Sequence, residues 1–362
     1  MFGSLIYLDY QATTPLAPEA REAMLRWLGG PGSDGFGNPS SPHRMGRMAR
    51  AAVELAREQV AALMPAGGRV IFTGGATEAL NLAIRGTGGE GAVACSSIEH
   101  SAVGDTARAA GAVHVIRVTD EGLSALSCDG FEDARLIAVM HVNNEIGTVQ
   151  PMEEWAQAAQ DKGVPFLCDA VQSYGRFELP KADLIAISAH KFHGPKGIGA
   201  LWVRDGVALS EVQTGGGQES GLRSGTLSPA LIAGMGAAAA LSGERMEADR
   251  AHVEMLWARA RELFAHWTLN GSAEHRWHGN LNIRRDGLDV ARLMSDCREI
   301  MFSAGSACAS GSGRPSHVLK AIGLTDAEAR SSIRLGFGRY TTLGEIEEAA
   351  ARINAAAEAQ GL

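Results

Sequence analysis

Ala182-Asp183-Leu184-Ile185-Ala186-Ile187-Ser188-Ala189-His190-Lys191-Phe192-His193-Gly194-Pro195-Lys196-Gly197-Ile198-Gly199 passes from an apolar stretch into a polar, glycine-rich one. Such a passage reads as a buried strand that ends in a loop, and the next apolar run, Gly199–Val203, follows at once. Short runs of the same kind stand upstream at Arg69–Thr73, Ala92–Cys95, Leu136–His141 and Pro165–Asp169. Between or before them lie stretches with helical patterning: Glu19–Leu28, Gly46–Leu63, Thr77–Ala83 and Glu153–Lys162. Strands that alternate with helices predict an α/β fold, a mostly parallel sheet between helices, with ligands at the carboxyl ends of the strands.

Downstream, Ala230–Arg261 reads as one long helix, followed by shorter strands and helices up to a last helix over Glu345–Ala357. The expected division is a large domain over 14–245 and a smaller α/β domain over 246–362, joined by the N-terminal segment 1–13. No internal repeat is visible. The compositionally biased segments are rich in glycine: Gly29–Gly37, Gly215–Gly217 and Ser303–Gly313.

Composition narrows the function classes. A chain of 362 residues can bury a substantial core without a disulfide framework, and 45% hydrophobic with 20% charged residues is an ordinary globular balance. The formal net charge of -8 and the lack of any Lys/Arg run exclude nucleic acid as an expected partner. No window approaches the roughly 18 apolar residues of a membrane span, and Met1–Tyr10 lacks a basic, then apolar, signal pattern. No membrane association and a cytoplasmic location are therefore expected. Cys95, Cys128, Cys168, Cys297 and Cys308 form no C-x-x-C pair, so neither a metal site nor a disulfide scaffold is indicated.

Lys191 is the first residue that points to chemistry. A lysine at a strand end, among glycines and polar residues, suits Schiff-base formation, because a partly desolvated amine gives up its proton more readily. Residue type alone favours an exposed loop lysine. The neighbouring Gly194-Pro195-Lys196-Gly197 is no phosphate-binding P-loop, since no Ser or Thr follows the lysine. Asp169 closes another apolar run, 22 residues before Lys191. A carboxylate there would keep the ring nitrogen of a pyridoxal cofactor protonated, although a lone Asp at a strand end also reads as a cap. Thr73-Gly74-Gly75-Ala76-Thr77-Glu78 places two glycines and a threonine at a helix entry, which suits a phosphate or an ordinary cap equally well. Ser188 and His190 add donors beside Lys191. His100, in Ile98-Glu99-His100-Ser101, could stack on a ring or relay protons, or serve as a cap.

Taken in order, Tyr7–Pro15, Phe36–Ser41, Thr73–Glu78, His141–Gly147, Asp169–Gln172, Ser188–Gly199, Arg223–Thr226 and Ser303–Ser310 resemble the motifs of cysteine desulfurases of the class V aminotransferase family. The resemblance spans nearly the whole chain. It implies the type I fold of pyridoxal-phosphate transferases and pyridoxal 5'-phosphate as cofactor. By position, it implies that Lys191 binds the cofactor covalently, Asp169 pairs with the pyridinium nitrogen, His100 stacks on the ring and Gln172 bonds the ring oxygen. Asn144 would lie near substrate and cofactor, while Ala76, Thr77, Ser188 and His190 would hold the phosphate. Thr226 would reach the phosphate of a neighbouring subunit, which implies a homodimer. Arg334 would clamp the carboxylate of L-cysteine, a task its fork suits.

The same resemblance assigns the sulfur-accepting thiol to Cys308. Its surroundings, Ser303–Gly313, contain three glycines and no large apolar side chain, so the segment is expected to be mobile, as a carrier of a persulfide must be. The product would pass to a sulfur-acceptor protein, either an iron–sulfur scaffold or another thio-cofactor pathway protein. Housekeeping members carry a further C-terminal tail for scaffold docking, whereas here Leu362 closely follows the last predicted helix, which leaves the acceptor open. Three positions depart from the usual pattern: Ala304, where a serine is common, and Gln218 and Ser220, where His and Arg commonly flank the Glu that stands here as Glu219. The alternatives are a selenocysteine lyase or an aminotransferase of the same fold, or a catalytically silent sulfur-relay or scaffold protein.

Overall fold

A computed structural model describes residues 5–126, 131–305 and 315–362. Among these, β1 (Ile6–Tyr7), α1 (Pro18–Leu25) and α2 (Arg44–Ala61) come first, then β2 (Gly68–Thr73), α3 (Ala76–Gly86), β3 (Ala92–Ser96), α4 (Ser101–Ala110) and β4 (Val113–Ile116). There follow β5 (Ala134–Met140), α5 (Met152–Lys162), β6 (Phe166–Asp169), β7 (Leu184–Ser188), β8 (Gly199–Arg204) and the long α6 (Pro229–Leu263). The remainder comprises β9 (Thr268–Leu269), β10 (Asn280–Arg284), α7 (Val290–Asp296), β11 (Ile300–Met301) and β12 (Ser303–Ala304). It ends with α8 (His317–Ala321), α9 (Asp326–Arg330), β13 (Ser332–Gly336) and α10 (Leu343–Glu358).

Among the described residues the main sheet has seven strands in the order β2-β8-β7-β6-β5-β3-β4. Only β8 runs against its neighbours, so the predicted mostly parallel sheet is what forms. The near-continuous apolar run of β7 follows from burial on both faces. Ile185 and Ile187 pack with Phe72, Val139, Trp155 and Trp202 on one face, and Leu184 and Ala186 with Leu80, Leu136 and Leu201 on the other. The sequence reading passed over β4, an edge strand whose Val115 is 56% exposed and whose short run lacks the apolar continuity of the inner strands.

A four-stranded antiparallel sheet, β12-β13-β10-β9, carries a separate core of Leu281, Ile283, Ile333, Leu335 and Ile353. Ile6 and Leu8 from the chain's beginning join this core, with β1 paired in parallel to β11. Helix α6 serves both: Ile232, Met235 and Ala239 pack in the main core, Val253, Leu256 and Ala260 in the second. Residues 8–14 run from the second core back to the strand ends of the first, where Thr14 N–H donates to the His190 carbonyl at 2.9 Å.

Candidate active site

The topology fixes where polar groups emerge. Strands β2, β5, β6 and β7 point the same way, so Thr73, Met140, Asp169 and Ser188 all stand at one edge of the sheet. At that edge lies a cavity of about 910 Å³. Its walls include Ala76, Thr77, His100, Asn144, Asp169, Gln172, Ser188, His190, Lys191 and Arg334. One expected site residue stands apart: Thr226 is exposed and does not line the cavity. Cys308 lies outside the described residues.

Lys191 follows β7 in a short 3-10 turn, and its Nζ donates to the carbonyls of Gln11 and Ala12, the latter at 2.9 Å. Asp169 is 5% exposed, and its Oδ1 accepts the Val171 N–H at 3.0 Å. Burial raises the Asp169 pKa, opposed by that N–H and by the charges of His100 and Lys191. A carboxylate so placed gains most from a cationic N–H partner in the cavity. His100 caps α4: its Nδ1 accepts the Ala102 N–H at 3.1 Å, which puts the proton of the neutral ring on Nε2. Burial lowers the His100 pKa, and Lys191 adds to the effect while Asp169 opposes it.

An anion fits at the mouth of α3. Helix α3 has no side-chain cap, so its first N–H groups are available, and Gly75 before it takes φ 153°, a conformation that favours glycine. Gly199 completes the cradle, since a Cβ there would stand 2.6 Å from the Ile187 carbonyl oxygen and 2.7 Å from the Gly75 carbonyl carbon. Lys196 also lines the cavity, and His190 is held to a pKa of about 4 by burial and by Lys191 and Lys196, hence neutral at ordinary pH. Opposite, the fully buried Arg334 donates from Nη2 to Asp9 at 2.7 Å and from Nη1 to the Asn144 carbonyl at 3.0 Å. Its Nε is buried without a hydrogen-bond partner, which fits a ligand carboxylate. Donors at an uncapped helix, a buried carboxylate beside a lysine, and an arginine with an orphaned N–H together fit pyridoxal phosphate and an amino acid.

Sequence reasoning missed several groups here. The Gln11 and Ala12 carbonyls, Asp9 and Lys196 carried no assigned role, although Asp9, Gln11 and Ala12 lie in the Tyr7–Pro15 motif. Glu99 was also missed. It is buried, its Oε1 accepts the Met140 N–H at 2.8 Å, and its Oε2 has no hydrogen-bond partner. Burial, then the Asp169 charge, raises the Glu99 pKa well above 4.5. The folded chain therefore holds a proton that the unfolded chain releases above that pH, so the contribution of Glu99 to stability declines as pH rises. Glu99→Gln is expected to stabilise the protein relative to the parent by an amount that grows from about pH 5 to about pH 8, as thermal melts across that range can test.

Residues 6–348 match the family model Aminotransferase class-V. A cysteine desulfurase IscS of Shewanella woodyi is 41% identical over 374 residues, covering 96% of this chain and 92% of that protein. The X-ray structure of a NifS-like protein from Rickettsia africae superimposes with a TM-score of 0.89 at 27% identity, over 98% of this chain and 99% of the other. The structure of SspA in complex with cysteine gives a TM-score of 0.78 at 35% identity, over 93% of this chain and 100% of that one.

Proposed function

The chain belongs to the class-V aminotransferase family, and from that premise we propose that it is a cysteine desulfurase using pyridoxal 5'-phosphate. The observation that carries the proposal is the convergence of Lys191, Asp169, the α3 N-terminus and Arg334 on one cavity. L-Cysteine plus the Cys308 thiol become L-alanine plus a Cys308 persulfide, a balance that needs no external oxidant.

In this reading Lys191 holds the cofactor covalently, Asp169 faces its ring nitrogen, and His100 and Gln172 meet the ring and its oxygen. Ala76, Thr77, Ser188 and His190 hold its phosphate. The bound cofactor supplies an electron sink that makes the substrate's Cα–H bond acidic and its C–S bond breakable. Arg334, steadied by Asp9 and the Asn144 carbonyl, orients the substrate through its carboxylate, with the Asn144 side chain alongside. Lys191 Nζ takes the Cα proton and returns it, and the neutral His100 can pass a proton from Nε2. The Cys308 thiolate bonds to the substrate sulfur as the C–S bond breaks, and alanine departs.

Thr226, exposed and outside this chain's cavity, goes with a homodimer in which it serves the partner's phosphate site. A sulfur-acceptor protein would relieve Cys308 of its sulfur. Among the described residues no helix is long and apolar enough to cross a membrane, and Cys95, Cys168 and Cys297 are free thiols, as a reducing cytoplasm would leave them. A division of the chain near residue 245 belongs to the same reading, since the two halves of α6 enter different cores.

The decisive assay measures alanine formed from L-cysteine by the chain loaded with pyridoxal phosphate. No alanine from a fully loaded enzyme would defeat the proposal. Within that assay, Arg334→Lys keeps the charge facing Asp9 but loses the fork, and is expected to raise KM for L-cysteine about tenfold or more with a smaller change in kcat. An unchanged KM would remove Arg334 from the substrate's carboxylate.

A further inference from the structure

Arg176 lies behind the cavity wall, in the turn that follows Asp169 and Gln172. Its Nη1 donates to the Gln172 carbonyl at 2.7 Å and to Gln172 Oε1 at 3.3 Å, and its Nη2 donates to the Lys191 carbonyl at 2.7 Å. Gln172 Nε2 donates to the Gln11 carbonyl at 3.0 Å, and that same carbonyl accepts from Lys191 Nζ. The bonds close a ring: Arg176 to the Gln172 amide, Gln172 to the Gln11 carbonyl, that carbonyl to the tip of Lys191, and the Lys191 main chain back to Arg176.

We propose that Arg176 is a positioning residue that fixes the Gln172 amide and the Lys191 backbone for the cofactor, and so decides which end of that amide the cavity presents. The proposal rests on the functional reading above and deepens it. A guanidinium only donates, and a carbonyl only accepts. Gln172 must therefore turn Oε1 to Arg176 and Nε2 to Gln11, which leaves an N–H, and not a carbonyl oxygen, for an electron-rich ring oxygen in the cavity. With Arg176 removed, the amide loses the partner that selects this orientation. The Lys191 carbonyl also loses a charge-assisted bond.

The arginine itself is held from behind. Its guanidinium carbon stands 5.4 Å from the Trp277 ring centroid, and its carbonyl accepts from Arg250 Nη2 at 3.0 Å. Burial draws the Arg176 pKa down to about 10, with Arg339 contributing, which still leaves it charged at neutral pH.

The test uses the holoenzyme and reads the bound cofactor, not turnover. The pH midpoint of its visible absorbance, the rate of cofactor release and Tm are measured for the parent, Arg176→Met, Gln172→Ala, the double variant and Arg176→Lys. Arg176→Met is expected to move the midpoint by about half a pH unit or more, in the same direction as Gln172→Ala, and to speed release about tenfold. The double variant should show no larger midpoint shift than Gln172→Ala alone, and Arg176→Lys should fall between parent and Arg176→Met. A lowered Tm with midpoint and release unchanged overturns the proposal, because a residue that merely braces the turn would do that. Additive midpoint shifts from Arg176→Met and Gln172→Ala overturn it too. Should Arg176→Met fail to fold, Arg176→Lys decides: one ammonium cannot span both acceptors, so a parental midpoint there overturns the role. A parent that takes up no pyridoxal phosphate defeats the functional reading itself, whereas a loaded parent with unmoved variants defeats only Arg176.

Discussion

Cys308→Ala is expected to bind pyridoxal phosphate with the parental spectrum and to lose alanine formation from L-cysteine by about a thousandfold or more, the scale on which removal of a nucleophile is felt. In the proposed reaction Cys308 takes the sulfur and has no part in holding the cofactor, so cofactor uptake has no reason to change. The early proton chemistry should survive as well, because it belongs to Lys191. In heavy water the variant should still exchange the Cα proton of L-cysteine while the C–S bond stays intact. Exchange without alanine separates proton abstraction from sulfur transfer. Alanine formation within about tenfold of the parent would show that the sulfur leaves without this thiol, as in a lyase of the same fold.

Lys191→Ala should fail earlier and more completely. Its side chain is the covalent anchor and the proton carrier of the proposed reaction, and its Nζ is pre-positioned by the Gln11 and Ala12 carbonyls. Loss of the amine is expected to change the visible spectrum, speed cofactor loss and cut alanine formation by about a thousandfold or more. The α3 cradle and Asp169 remain, so some non-covalent retention of the cofactor should persist. Here Cα exchange stops too, which distinguishes this variant from Cys308→Ala. Partial recovery with a small primary amine would place the defect in the missing base; parental exchange rates in Lys191→Ala would remove Lys191 from the chemistry.

Much of the site could be read in advance because it sits where strands end. Asp169, Ser188 and Lys191 each lie at a change from apolar to polar chain, and in a parallel sheet those changes converge on one edge. The glycines at 74 and 75 and Thr77 announced the helix entry for the same local reason. Other contacts had no such local sign. Arg334 and its partner Asp9 are 325 residues apart in sequence, and Lys191 and Ala12 are 179 apart. Nothing in the local sequence marks Arg176, whose acceptors, the Lys191 carbonyl and Gln172, come together only in the fold. The β4 strand escaped because an exposed edge needs no continuous apolar run.

By itself, then, the sequence determined the alternation of strands and helices, the mostly parallel sheet, and which polar residues stand at the ends of its inner strands, since burial on both faces writes itself into each strand locally. The tertiary structure alone decided how those residues are held. It brought the segment around Gln11 and Ala12 against Lys191, set Asp9 on Arg334, and closed the ring through Arg176. Hydrogen bonds between distant segments depend on chain path and register, and a sidedness pattern of apolar and polar residues does not encode their partners. That is why Lys191 was legible as a lysine at a strand end, while the carbonyls and the guanidinium bonded to it were not.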